Sequence, residues 1–191
     1  MRTSVRSLSR GLRGRPCEPN LADRGREKLP PGSQLSEYTA GMLDLDTTRR
    51  WNDWANWRVF EVLKGTDGEP ERALAAFQHI LETEVTWLRR IVGHPEPNLP
   101  LWGEVSMGSC GVWLNESREL IAGLTDADLD RSISYRNSKG DSFTDSVGEV
   151  LGHTFLHSSQ YRGEAAGLLA AAGHTVPDLD LIFWKRMRAA E

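Results

Sequence analysis

The stretch PERALAAFQHILETEVTWLRRIVG, residues 70–93, decides the fold. Leu74, Phe77, Leu81, Val85, Leu88 and Val92 recur at steps of three and four. That is the period of one helical face, whereas a strand would need steps of two. Pro70 suits a first helical turn, where a backbone N–H would lack a partner anyway, and Gly93 supplies the residue at which helices commonly stop. The stripe predicts a helix sustained over about five turns. His79 falls off this stripe. Its wheel neighbours Ala75, Ala76, Thr83 and Thr86 are small and uncharged, leaving room for an ion, a water or a substrate.

Upstream, DLDTTRRWNDWANWRVFEVLKG (44–65) repeats the pattern through Trp51, Trp54, Ala55, Val59 and Val62, with Asp46 or Thr47 as N-cap and Gly65 as terminator. Downstream, HPEPNLPLWGEV is a proline-broken connection. A third helix is expected from about Ser109 to Gly123 through Val112, Trp113, Leu120 and Ile121. Between Leu124 and Ser146 the pattern changes, and SISYRNSKGDSFTD alternates around Asn137 and Gly140, which predicts a small hairpin. A fourth helix starts near Asp145 or Ser146 and runs to Gly173, with Val147, Val150, Leu151, Thr154, Ser158, Tyr161, Ala165 and Leu169 on its inner side. Four amphipathic helices with a long third connection define an all-α fold, a four-helix bundle.

The chain has 191 residues, 39% hydrophobic and 26% charged, with a net charge of −4. Residues 1–41 are rich in Arg, Ser, Gly and Pro; their eight basic and four acidic groups leave the rest at −8. Such a segment buries too little apolar surface to order itself, and is expected to be a disordered basic tail or an over-extended start ahead of Met42, with residues 42–191 as the folded domain. An acidic domain lacks the basic excess that phosphate backbones require, so nucleic acid is not the expected partner. No run of about 20 apolar residues predicts a membrane span, and a cytoplasmic location is expected. Cys17 and Cys110 lie far apart and form no CxxC pair.

The chemistry concentrates in GHTFLHSSQYRGEAAGLL, residues 152–169. His153 and His157 are four apart, a spacing that sets two imidazoles side by side on a helix as in two-histidine metal ligation. On the helical wheel Tyr161 faces inward, His157 sits at the edge of the apolar stripe and His153 lies further round. His79 is the natural third candidate from another helix, and Arg162 a candidate anchor for an anionic substrate. No glycine-rich phosphate loop follows a strand, and no GxSxG elbow is present.

Three segments, WNDWANWRVFEVL, HILETEVTWLRRIVG and GHTFLHSSQYRGEAAGLLAAAGHTVPDLDLIFW, together resemble the DinB family of damage-inducible, metal-binding four-helix bundles, which is unrelated to the DNA polymerase of that name. The resemblance spans residues 42 to about 185. It implies a divalent metal, zinc or nickel, held by one histidine of helix two and two of the last helix, a homodimer, and in some relatives a low-molecular-weight thiol activated for transfer or isomerisation of a small molecule. Carried over, the helix-two ligand is His79 and the first ligand of the last helix is His157. Tyr161 stands where the family has a second histidine before Arg-Gly, so His153, or more weakly Glu164, would have to complete the set. The implied activity is a metal-dependent transferase or hydrolase; the alternative is a non-catalytic ligand-binding or dimerisation module with a degenerate site.

Overall fold

The computed structural model describes residues 44–66, 70–137 and 139–190; the expected tail, residues 1–41, lies outside them. The order is α1 (Leu45–Lys64), α2 (Glu71–Val92), α3 (Met107–Ala122), a 3-10 turn (Asp126–Asp128), β1 (Ser132–Arg136), β2 (Ser142–Ser146), α4 (Val147–Ala171) and α5 (Leu181–Arg188). The fold is mostly helical with one two-stranded antiparallel sheet, matching the all-α expectation at the level of class. No helix among the described residues is long and apolar enough to cross a membrane.

Local chemistry fixes the ends. Asp44, rather than Asp46 or Thr47, caps α1, its Oδ1 accepting the Thr47 N–H at 2.7 Å. At the end of α2, Gly93 takes the left-handed conformation (φ 74°), and the His94 N–H reaches back to the Arg89 carbonyl at 2.9 Å. Ser106 caps α3, which therefore starts two residues before the expected Ser109. Ser146 and Glu149 form a reciprocal capping box at the start of α4. The hairpin pairs Ser132 with Ser146 and Tyr135 with Phe143. The short α5 was not expected from the sequence; it follows a segment tied to α1 by the Trp51 indole N–H, which donates to the Leu179 carbonyl at 2.8 Å.

Helix α2 packs most extensively against α4 and α3, while α1 lies against both of those helices and touches α2 less. The apolar interior has two parts. One joins Val59, Phe60 and Leu63 to Leu74, Phe77, Ile80 and Leu81, Cys110 and Leu114, and Ala165 and Leu169. The other joins Leu45, Leu88, Ile91, Ile121, Val147, Val150, Leu151 and Phe155.

Between these parts, in the sequence of all four long helices, sits a polar layer. Glu84 of α2 accepts from Asn52 and Asn56 of α1 (3.1 Å each), Ser117 of α3 (2.5 Å) and Ser158 of α4 (3.0 Å). Both asparagines in turn accept from Nη1 of Arg162, at 2.6 and 2.7 Å. Arg162 is 2% exposed and lies over the Trp51 ring, 4.8 Å from its centre. Burial draws its pKa down to about 10 while the Glu84 charge raises it, so the guanidinium stays protonated at neutral pH. Buried charges persist only when paired and hydrogen-bonded, and here the asparagines carry the pairing from acid to base.

Candidate functional site

Helix α2 presents His79 towards α4 and the loop that joins α2 to α3. The wheel reading placed His79 off the apolar face, yet it is only 6% exposed. The reason is the loop. Gln78, one residue before His79, donates to the Glu104 carbonyl at 2.9 Å and accepts the Ser106 N–H at 2.7 Å. Glu82, one turn after it, accepts the Trp102 N–H at 2.8 Å and the Gln78 amide at 2.8 Å. Thr86, a further turn on, accepts the Leu99 N–H at 3.1 Å. These straps fold the connection over the polar side of α2 and bury it.

Trp102 is the cover. Its ring stacks on His79 with centroids 3.9 Å apart and planes 12° from parallel. Its backbone is left-handed, φ 60°, a conformation that a bulky side chain adopts only when its surroundings impose it. The Glu82 carboxylate supplies the constraint by holding the Trp102 N–H.

From α4, His157 meets His79 edge to face with ring centroids 5.1 Å apart. Tyr161 lies 4.7 Å from each of the two imidazoles, again centroid to centroid. Among the described residues the Nδ1 atoms of His79 and His157 are both buried without a hydrogen-bond partner; Glu82 Oε2 lies 4.0 Å from His79 Nδ1, beyond hydrogen-bonding reach. Desolvation pushes both imidazoles down to about pKa 4, and a neighbouring imidazole adds to the shift in each case. Both are therefore neutral at pH 7, the state in which imidazole donates to a metal.

The remaining expected residues divide. His153 is exposed and packs its ring against Trp87, at 5.6 Å, as well as 5.7 Å from His157. Glu164 is exposed. Arg162 lies in the polar layer rather than beside the imidazoles, bonded to Asn52 and Asn56. Among the described residues no group of three or more His, Cys, Asp or Glu side chains is arranged to hold an ion.

The side chains that meet here are two imidazoles and a phenol. Zn–N bonds of about 2.0–2.1 Å with tetrahedral angles separate two ligating imidazole centroids by about 5 Å, and His79 and His157 stand at 5.1 Å. Each of these two rings carries a buried nitrogen with no hydrogen-bond partner among the described residues, and Tyr161 packs against both. Trp102, Gln78 and Glu82 were not among the residues expected at the site. Gln78 and Glu82 carried a signal, two polar side chains flanking His79 on a helix; Trp102 carried none, because its role depends on the path of the loop.

Comparison of the chain with protein-family models, with curated proteins and with solved structures gives no match.

Proposed function

We propose that the four long helices form a DinB-like four-helix bundle that binds a divalent metal, zinc or nickel, through His79 and His157. In this reading the chain is a metal-dependent transferase or hydrolase for a small molecule, with a low-molecular-weight thiol as a possible cosubstrate class. The observation that carries it is the pair of neutral imidazoles on different helices, ring centroids 5.1 Å apart, each with a buried Nδ1 that has no hydrogen-bond partner among the described residues. A divalent ion with an open position would lower the pKa of a bound water or thiol towards neutrality. The chain's own residues do the rest. His79 and His157 present lone pairs without first losing a proton. Tyr161 adds a phenol against both rings, Trp102 keeps bulk water from the face of His79, and Glu82 and Gln78 hold that cover in place.

Tyr161 favours a second reading, a non-catalytic module whose metal site has degenerated, because a phenol of ordinary pKa near 10 is a weaker ligand than imidazole. One experiment separates the two: zinc and nickel stoichiometry of untagged protein and of the His79→Ala, His157→Ala and His153→Ala variants. Near-stoichiometric metal in the parent, lost from the first two variants and kept in the third, is the expected result. A folded parent that takes up neither metal sinks the metal reading, and equal loss in His153→Ala would refute the assignment of ligands.

A further inference from the structure

One turn beyond His79, α2 also forms the floor of a groove of about 310 Å³ that the proposed metal centre does not use, lined by Thr83, Trp87, Arg90, Leu101, Tyr135 and Phe143 among others. Arg90 sets its chemistry. The guanidinium carbon lies 4.4 Å from the centre of the Trp87 ring and 5.1 Å from that of Tyr135. Nη2 donates to Asn98 Oδ1 at 2.7 Å, and Nε is buried without a partner among the described residues. Among the described residues no Asp or Glu forms an ion pair with Arg90, whereas the adjacent Arg89 grips Glu116 through two bonds of 2.6 and 2.9 Å. A cation set on ring faces without an acidic partner offers an anion a place to bind.

Two further observations point to a ligand of mixed character. Thr83, 7% exposed, has its hydroxyl oxygen buried with no hydrogen-bond partner among the described residues. Leu101 and Phe143, which both line the groove, each leave 45% of their surface exposed. Small-molecule sites combine apolar walls with a few convergent polar groups in this way.

We propose that this groove binds a small organic carboxylate with a flat apolar body, the carboxylate on the Arg90 guanidinium and the body against Leu101 and Phe143. As the substrate class of the neighbouring metal centre the assignment rests on the reading above; as a binding site it stands without the metal. The test therefore uses the full chain both as purified and after treatment with EDTA, with benzoate as probe, neutral benzamide and inorganic phosphate as controls, and ligand-observed NMR as the readout. Benzoate binds saturably in both preparations, and benzamide and phosphate each bind roughly tenfold more weakly or worse. Arg90→Gln lowers benzoate affinity by a similar factor without changing metal content. Phe143→Ala, at an exposed hairpin position, lowers it severalfold while keeping the cation. The proposal is overturned if benzoate does not saturate, if benzamide or phosphate matches it, or if affinity survives either substitution; should Arg90→Gln fail to fold, Phe143→Ala decides. Metal content, measured separately, shows whether the metal reading fails independently.

Discussion

Replacing Glu84 by leucine tests the polar layer most directly. Four side chains from three other helices donate to this carboxylate, at 3.1, 3.1, 2.5 and 3.0 Å, and the two asparagines among them pass the interaction on to Arg162. Each buried donor left unsatisfied costs about 1–3 kcal/mol, but Ser117 and Ser158 sit on helices and can turn to a carbonyl of the preceding turn. The uncompensated remainder is Asn52, Asn56 and a buried guanidinium whose acid has gone, a loss for which about 3–5 kcal/mol is typical. Against a total of about 5–15 kcal/mol that is a large fraction. Urea unfolding followed by far-UV circular dichroism at pH 7 measures it as a shift in midpoint at constant slope. Arg162→Met alone strands the asparagine oxygens and destabilises as well. The double variant removes both charges, so it should be more stable than the sum of the single losses predicts, by about 1–3 kcal/mol of coupling. A cost for Glu84→Leu below about 1 kcal/mol, or strict additivity in the double variant, would refute the layer as a coupled unit.

Two other outcomes follow from local geometry. Trp102→Gly relieves a left-handed backbone that costs a bulky residue about 1–2 kcal/mol but removes the ring stacked on His79; stability should change little, while carbethoxylation of His79, mapped by mass spectrometry, should accelerate severalfold, and an unchanged rate would show that Trp102 is no cover. Hydrogen bonds from Ser146 hold the Glu149 carboxyl below its ordinary pKa, so the capping box contributes above that range and is lost as pH falls through the folded value; Ser146→Ala should cost about 1 kcal/mol at pH 7, and an acid titration of helicity in Glu149→Gln should lose this component, whereas an unaltered titration would count against the box.

The apolar period of α2 and the cap signals at Gly93 and Ser146 were legible because they depend on neighbours within one turn. The hairpin around Asn137 and Gly140 was legible for the same reason. The environment of His79 was not, since the wheel describes a lone helix and cannot register a loop strapped across its polar side by Gln78, Glu82 and Thr86. The polar layer left a trace that single helices could not interpret. Asn52 and Asn56, like Ser158 and Arg162, are polar pairs four apart on otherwise buried faces, and only their convergence on Glu84 gives them meaning. Helix α5 was hidden by its length, eight residues being too few for a period to stand out. At the site, Tyr161 facing inward and His157 at the edge of the stripe were visible on the wheel, but the packing of His153 onto Trp87 depended on where that tryptophan lies.

Ser158 and Arg162 follow His157 and Tyr161 by one residue each, which couples the orientation of the site to the middle of the protein. Turning α4 about its axis far enough to bring His153 in beside His79 would pull Ser158 from Glu84 and Arg162 from both asparagines. The layer acts as a rotational lock on α4, opposing recruitment of His153 by a turn of the helix. Substitution reaches the site without such a turn: Tyr161 already packs against both imidazoles, and a histidine at that position would set a third imidazole there while Ser158 and Arg162 keep their bonds.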